Sequence, residues 1–182
     1  MINTVLETER LNLRPLQADD APAITRYAGD RRIAAGKLSI PHPLPQDWAQ
    51  GYIRYHQRAI AAREDFCLAL TRKTEPTLIG IINLYPQSEH VAQVGFWTAV
   101  PFWGQGYMSE ALRAVLRFAF MELALQRVHA SRFGSNPASG RVMQKAGMRQ
   151  EGRLRQHVLK DGAPQDLVWH GMLSGAFEGS HA

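Results

Sequence analysis

The chain has 182 residues and a formal charge of +5, with 45% apolar and 20% charged residues. That mixture suits a globular domain with a sizeable core and excludes a disordered or coiled-coil composition. Arg and Lys recur singly from Arg10 to Lys160 rather than in a clustered run, so the positive balance suits an anionic ligand without marking a nucleic-acid surface.

Leu11 to Leu16 alternate apolar and polar residues, as a strand with one buried face does, and Pro15 marks its end. Asp19 is an expected N-cap for a short amphipathic helix carrying Ala23, Ile24 and Tyr27, which Gly29-Asp30 can terminate. Leu38 to Pro45 contains three prolines and reads as an irregular loop. A second helix follows, with Trp48, Tyr52, Tyr55 and Ile60 expected along one face and an end near Arg63.

Phe66 to Thr71, Leu78 to Leu84 and Val91 to Thr98 are then three strands separated by short polar connections, an antiparallel meander. Cys67, the only cysteine, sits in the apolar run of the first and reads as a buried strand residue in a reducing environment. The strongest helical periodicity in the chain is Leu112, Val115, Leu116, Ala119, Phe120 and Leu123. A strand near Arg127 to Phe133, a short helix from about Ser139 to Ala146 and a strand near Leu167 to Leu173 complete an α+β pattern with a mixed sheet. No apolar stretch is long enough to cross a bilayer and no signal-like core opens the chain, so a cytoplasmic protein is expected.

Chemistry concentrates in Val94 to Ser109, VGFWTAVPFWGQGYMS: a strand, a turn, a two-glycine loop, and the start of the long helix. That order presents free backbone N–H groups and the positive end of a helix dipole to an anion, with Gly104 and Gly106 permitting dihedrals closed to other residues. A dinucleotide-binding turn begins in the same way, but Ser109 stands where its third glycine would be and the preceding strands form hairpins rather than a βαβ unit. Trp97, Phe102, Trp103 and Tyr107 are read as packing this loop on the sheet and shaping an acyl slot. The seven histidines show no ligand-like spacing, and no metal is expected.

PFWGQGYMSEAL resembles the acetyl-CoA loop of the GNAT superfamily, especially the branch that acetylates the N-termini of ribosomal proteins. NPASGRVMQKAGM, from Asn136 to Met148, resembles that branch's Asn-x-x-Ser element and the short helix after it, and ETERLNLRPL and EGRLR with Asp166 extend the likeness over essentially the whole chain. The resemblance implies one GNAT domain over residues 1–182, its last few residues disordered. It further implies a mostly antiparallel mixed sheet of six to seven strands flanked by helices, with acetyl-CoA as co-substrate. It implies a cofactor site at Trp97, Thr98, Ala99, Gly104, Gln105, Gly106, Tyr107, Met108, Ser109, Asn136 and Lys145. Main-chain groups around Trp97 to Ala99 would be freed where the fourth and fifth strands of that fold splay apart.

Direct attack of an amine on the thioester needs a neutral amine, a stabilised oxyanion and a proton for the thiolate. Ser139 is the candidate for that last proton by resemblance, and a helix cap by local chemistry. Asn136 is likewise either a pantetheine partner or an Asn-Pro turn initiator. Gln93 occupies the place where many relatives carry a basic Glu, leaving Glu89, His90 and Glu151 to act through water, or bulk water itself. The resemblance implies a primary amine as acceptor, with a protein N-terminus as the first expectation. A polyamine, amino acid or aminoglycoside is the enzymatic alternative, and a non-catalytic acyl-CoA-binding module the alternative of another class. The Leu38 to Pro45 loop, the second helix and the late hairpin are expected to build the acceptor pocket, and a homodimer is left open.

Overall fold

Leu11 and Leu13 alternate with Asn12 and Arg14, and in the computed structural model, which describes residues 5–178, both leucines are fully buried on one strand face. That strand, β2 (Leu11–Pro15), pairs antiparallel with a two-residue β1 (Leu6–Glu7). A 3-10 turn over Ala18–Asp20 leads into α1 (Ala21–Ala28). Asp20, not Asp19, stands at the start of this helix. Its buried carboxylate is taken by Arg14 through two 2.8 Å hydrogen bonds and by the Gln17 amide at 2.8 Å, so it braces the turn instead of capping the helix.

A short α2 (Arg31–Ala34), absent from the sequence reading, is capped by Asp30, whose side chain accepts from the Arg32 amide. In α3 (Trp48–Ala62) the buried stripe is Ala49, Ile53, His56 and Ala59, and Tyr55 is 63% exposed, so the expected face is rotated. Trp48 and Tyr52 flank this stripe, half-buried against the same core.

The remaining elements are β3 (Phe66–Arg72), β4 (Glu75–Pro86), β5 (Val91–Thr98), α4 (Tyr107–Arg117), β6 (Arg127–Phe133), α5 (Pro137–Lys145), β7 (Arg149–Lys160), β8 (Ala163–Leu173) and α6 (Ser174–Glu178). After Arg117 the helix widens into a π turn over Phe118–Glu122. The sheet order is β1-β2-β3-β4-β5-β6-β8-β7, with β5 and β6 parallel and every other pair antiparallel. Eight strands among the described residues exceed the expected six to seven. β1 is too short to show a pattern, and β7 is an edge strand, mostly exposed, without the apolar alternation that a buried face imposes.

Apolar residues fill both faces of the sheet. Leu112, Val115 and Leu116 of α4 pack with Leu11, Leu68 and Ile82 on one side, while Ile24 of α1 and Ile53 of α3 pack with Ala69, Leu78 and Ile81 on the other. Cys67 lies buried on that second side, and burial pushes its thiol well above the ordinary range. Among the described residues no helix is long and apolar enough to cross a membrane. The tail expected to be disordered, and His181 with it, lies outside the described residues.

Candidate active site

The glycine loop ends where α4 begins. Gly104 (φ +75°) and Gly106 (φ +81°) occupy the left-handed region, and Gly106 is the N-cap, with no side chain to satisfy the helix's first amides. The Glu110 amide reaches back to the Gly106 carbonyl, which leaves the N–H groups of Tyr107, Met108 and Ser109 without intrahelical acceptors. A methyl group at Gly104 would meet no protein atom within 4 Å, so that side of the loop is open to a ligand. These features fit an anionic pyrophosphate.

The loop is held from below by the N-terminal segment. Arg10 donates to the Gln105 carbonyl at 3.1 Å and lies 4.6 Å over the Tyr107 ring, while Glu110 accepts from Thr8 Oγ1 (2.6 Å), the Arg10 amide (2.9 Å) and Arg10 Nε (2.7 Å). Partial burial tends to raise the Glu110 pKa, but the hydrogen bonds from Thr8 and Arg10 outweigh it and hold the carboxyl below its ordinary value.

Beside the loop the sheet splits. β5 and β6 pair only at Val91↔Arg127, Ala92↔Val128 and Gln93↔His129, after which β5 continues to Thr98 and β6 to Phe133 unpaired with each other. The Ala99 amide bonds the Ile79 carbonyl of β4 at 2.8 Å. Main-chain direction alternates along a strand, so Trp97 and Ala99 address β4, and Phe96 and Thr98 address the opening. The expectation of free groups around Trp97 to Ala99 is corrected accordingly: the Ala99 amide is committed, and the Thr98 carbonyl accepts the Trp103 indole N–H at 2.6 Å.

The opposite wall is α5. Asn136 caps it, its Oδ1 accepting the Ser139 amide at 3.2 Å. The capping role considered for Ser139 therefore belongs to Asn136, and Ser139 Oγ has no protein hydrogen-bond partner among the described residues. Between these walls lies a cleft of about 570 Å³. Trp97, Thr98, Gly104, Gly106, Tyr107, Met108, Ser109, Asn136, Ser139 and Lys145 line it, whereas Ala99 and Gln105 do not. Gln105 turns away, its side-chain amide donating to the Pro101 carbonyl at 3.0 Å.

Residues missed from the sequence also line the cleft: Arg32, Ile33 and the turn Ala35 to Lys37 after α2, together with Phe96, Ser135 and Arg141. The Asp30 cap ahead of Arg31–Ala34 was the available signal for this short helix. Neither the Leu38 to Pro45 loop, nor α3, nor the β7–β8 hairpin contributes a lining residue to this cleft. The α2 turn does line it, and Gly36 passes so close to Asn136 that a methyl group there would lie 3.2 Å from its Nδ2.

None of the suggested bases reaches the cleft. Glu151 is paired with Arg127, whose guanidinium hydrogen bonds hold its carboxyl below the usual value, and exposed His90 faces Ser88 Oγ. Gln93 Oε1 accepts from Gln87, whose own Oε1 lies 2.7 Å from His129 Nε2. Among the described residues no three His, Cys, Asp or Glu side chains gather to hold a metal ion.

A strand-loop-helix anion site opening onto a splayed parallel strand pair is the arrangement that the resemblance to acetyl-CoA-dependent transferases implied. The family model for the GNAT acetyltransferase domain matches residues 10–149. A prophage-derived N-acetyltransferase of Bacillus subtilis, uncharacterized as described, is 32% identical over 178 residues, 95% of each chain. The [ribosomal protein uS5]-alanine N-acetyltransferase of Escherichia coli is 27% identical over 173 residues, 90% of this chain and 87% of that protein. Among solved structures, the ribosomal L7/L12 alpha-N-protein acetyltransferase RimL in complex with coenzyme A superposes with a TM-score of 0.84 at 16% identity, covering 93% of this chain and 97% of that one. The chain belongs to the GNAT acetyltransferase family, and it is an acetyl-CoA-dependent N-acetyltransferase.

Proposed function

We propose that the acceptor is the α-amino group of a protein or peptide N-terminus, as in the relative that acetylates an alanine of ribosomal protein uS5. The observation that carries this reading is the charge of the cleft. Arg32, Lys37, Arg141 and Lys145 line it and no Asp or Glu does. A polyamine carries several positive charges and needs carboxylates facing it, whereas a peptide N-terminus brings one ammonium on a chain of neutral carbonyls.

In this reading the amides of Tyr107 to Ser109 hold the pyrophosphate of acetyl-CoA, and Asn136 and Lys145 flank its pantetheine arm. The outward main-chain groups of Phe96 and Thr98 line the opening where the thioester lies, and an N–H there would stabilise the oxyanion formed when the amine attacks. Ser139 Oγ, free of protein partners among the described residues, gives the departing sulfur its proton. Release of free thiol from acetyl-CoA is measured over peptides of varied N-terminal residue, polyamines, amino acids and aminoglycosides. Turnover confined to peptides supports the reading. Preference for a polyamine overturns it, and CoA binding without any thiol release identifies a non-catalytic binding module.

A further inference from the structure

We propose that Lys37 is the group that takes the proton from the attacking amine, a role that rests on the amine-acetylation reading above. The turn after α2, closed by Gly36 N–H to the Ile33 carbonyl and Lys37 N–H to the Ala34 carbonyl, spans the split sheet from the β5 side to Asn136. It carries Lys37 into the cleft, with Nζ 5.2 Å from the centroid of the Phe96 ring. Phe96 belongs to the part of β5 whose main chain faces the opening, and Ser139 lines the same cavity.

Apart from the face of the Phe96 ring, a weak attraction for a cation, nothing among the described residues holds Lys37 as an ammonium ion. Its Nζ has no hydrogen-bond or ion-pair partner among the described residues. The other charged or titratable groups facing the cleft are Arg32 on α2, Tyr107 on α4, and Arg141 and Lys145 on α5, none of them acidic. Asp30, the nearest acid along the chain, is occupied by Arg32 through bonds of 2.6 and 3.0 Å. Burial alone pulls the Lys37 pKa down to about 8. Roughly a tenth of the side chain is then neutral at pH 7, against well under one part in a thousand for an ordinary lysine.

The acceptor must arrive already neutral, which also favours an N-terminus. An α-ammonium titrates at about 7.7–8.0, so a sizeable share is the free amine near neutral pH, whereas a polyamine or lysine side chain near 10.4 offers about 10²-fold less. In the reaction neutral Lys37 Nζ accepts a proton from the acceptor nitrogen as that nitrogen bonds the thioester carbon. The carbonyl oxygen carries the negative charge until the C–S bond breaks. Sulfur then takes a proton from Ser139 Oγ, solvent restores the hydroxyl, and Lys37 releases its proton to solvent.

The test compares wild type with Lys37→Met and Lys37→Arg by pH–rate profiles from pH 6 to 9.5, using a hexapeptide with N-terminal alanine or whichever panel amine releases the most thiol. Wild-type kcat should rise to a plateau near pH 8. Both variants should lose about 10²-fold in kcat at pH 7.5 with KM for acetyl-CoA within threefold, and their kcat should keep climbing with pH. Retention of wild-type kcat in Lys37→Arg would show that charge, not proton acceptance, is what matters, and overturns the proposal. So does acetylated Lys37 accumulating during turnover by intact mass, since Lys37 would then be an acceptor. Should neither variant fold, titration of the Lys37 Cε resonance in ¹³C-lysine wild-type protein decides: a midpoint near 8 supports the role and one near 10.5 overturns it. A wild-type enzyme inactive on every amine refutes the acetyl-transfer reading instead.

Discussion

Replacing Gly106 by valine tests the pyrophosphate site at its tightest point. Gly106 sits at φ +81°, where a β-branched residue is strained by about 1–2 kcal/mol, so the variant should melt roughly 2–8 °C lower for a chain of this size. The fold should survive, because an added Cβ meets only Arg10 Nη2 at 3.5 Å, an ordinary contact with the end of a flexible side chain. Ligand binding should suffer far more. Charge-assisted hydrogen bonds contribute about 1.5–3 kcal/mol each, and displacing the phosphates from two amides removes on the order of 3–6 kcal/mol, at least a 10²-fold rise in Kd. Calorimetric titration with CoA reads the affinity, and a thermal melt of the unliganded protein reads the strain. A CoA Kd within threefold of wild type, beside the expected loss of Tm, would refute the placement of the pyrophosphate at the start of α4.

Ser139→Ala should lower kcat about 10²-fold while CoA affinity and Tm stay near wild type, because the helix cap is supplied by Asn136; loss of stability alone would return Ser139 to a structural role. Asn136→Ala removes that cap and should cost about 1 kcal/mol, a Tm shift of roughly 2–4 °C by calorimetry. Leu112→Ala empties a fully buried position between α4 and the sheet and should destabilise by about 2–5 kcal/mol in urea unfolding, with the m-value unchanged. Glu110 titrates below its ordinary 4.5 in the folded chain, so its contribution is complete above that pH and is lost as pH falls through the lower folded value. Stability measured from pH 6 to pH 3 should therefore fall less steeply in Glu110→Gln than in wild type.

Local chemistry already determined much of this protein from its sequence. Leu112, Val115 and Leu116 recur at helical spacing because one face must be apolar to bury against a sheet, and Gly104 and Gly106 stand where backbone dihedrals admit little else. Those two patterns, in the order strand, loop, helix, located the anion site. The exposed edge strand β7 left no such trace, since a strand without a buried face need not alternate. Which residues share the cleft was settled only in three dimensions. The Asn136 cap freed Ser139 from the role its position suggests, and the ladder parity set by Ala99 and Ile79 turned Phe96 and Thr98 toward the opening. Lys37 reads in sequence as one more scattered cation; only the chain's path past Asn136 brings it over Phe96, where burial without an acidic partner changes its chemistry. Periodicity is a property of neighbours along the chain, while the environment of a charge depends on residues tens of positions away.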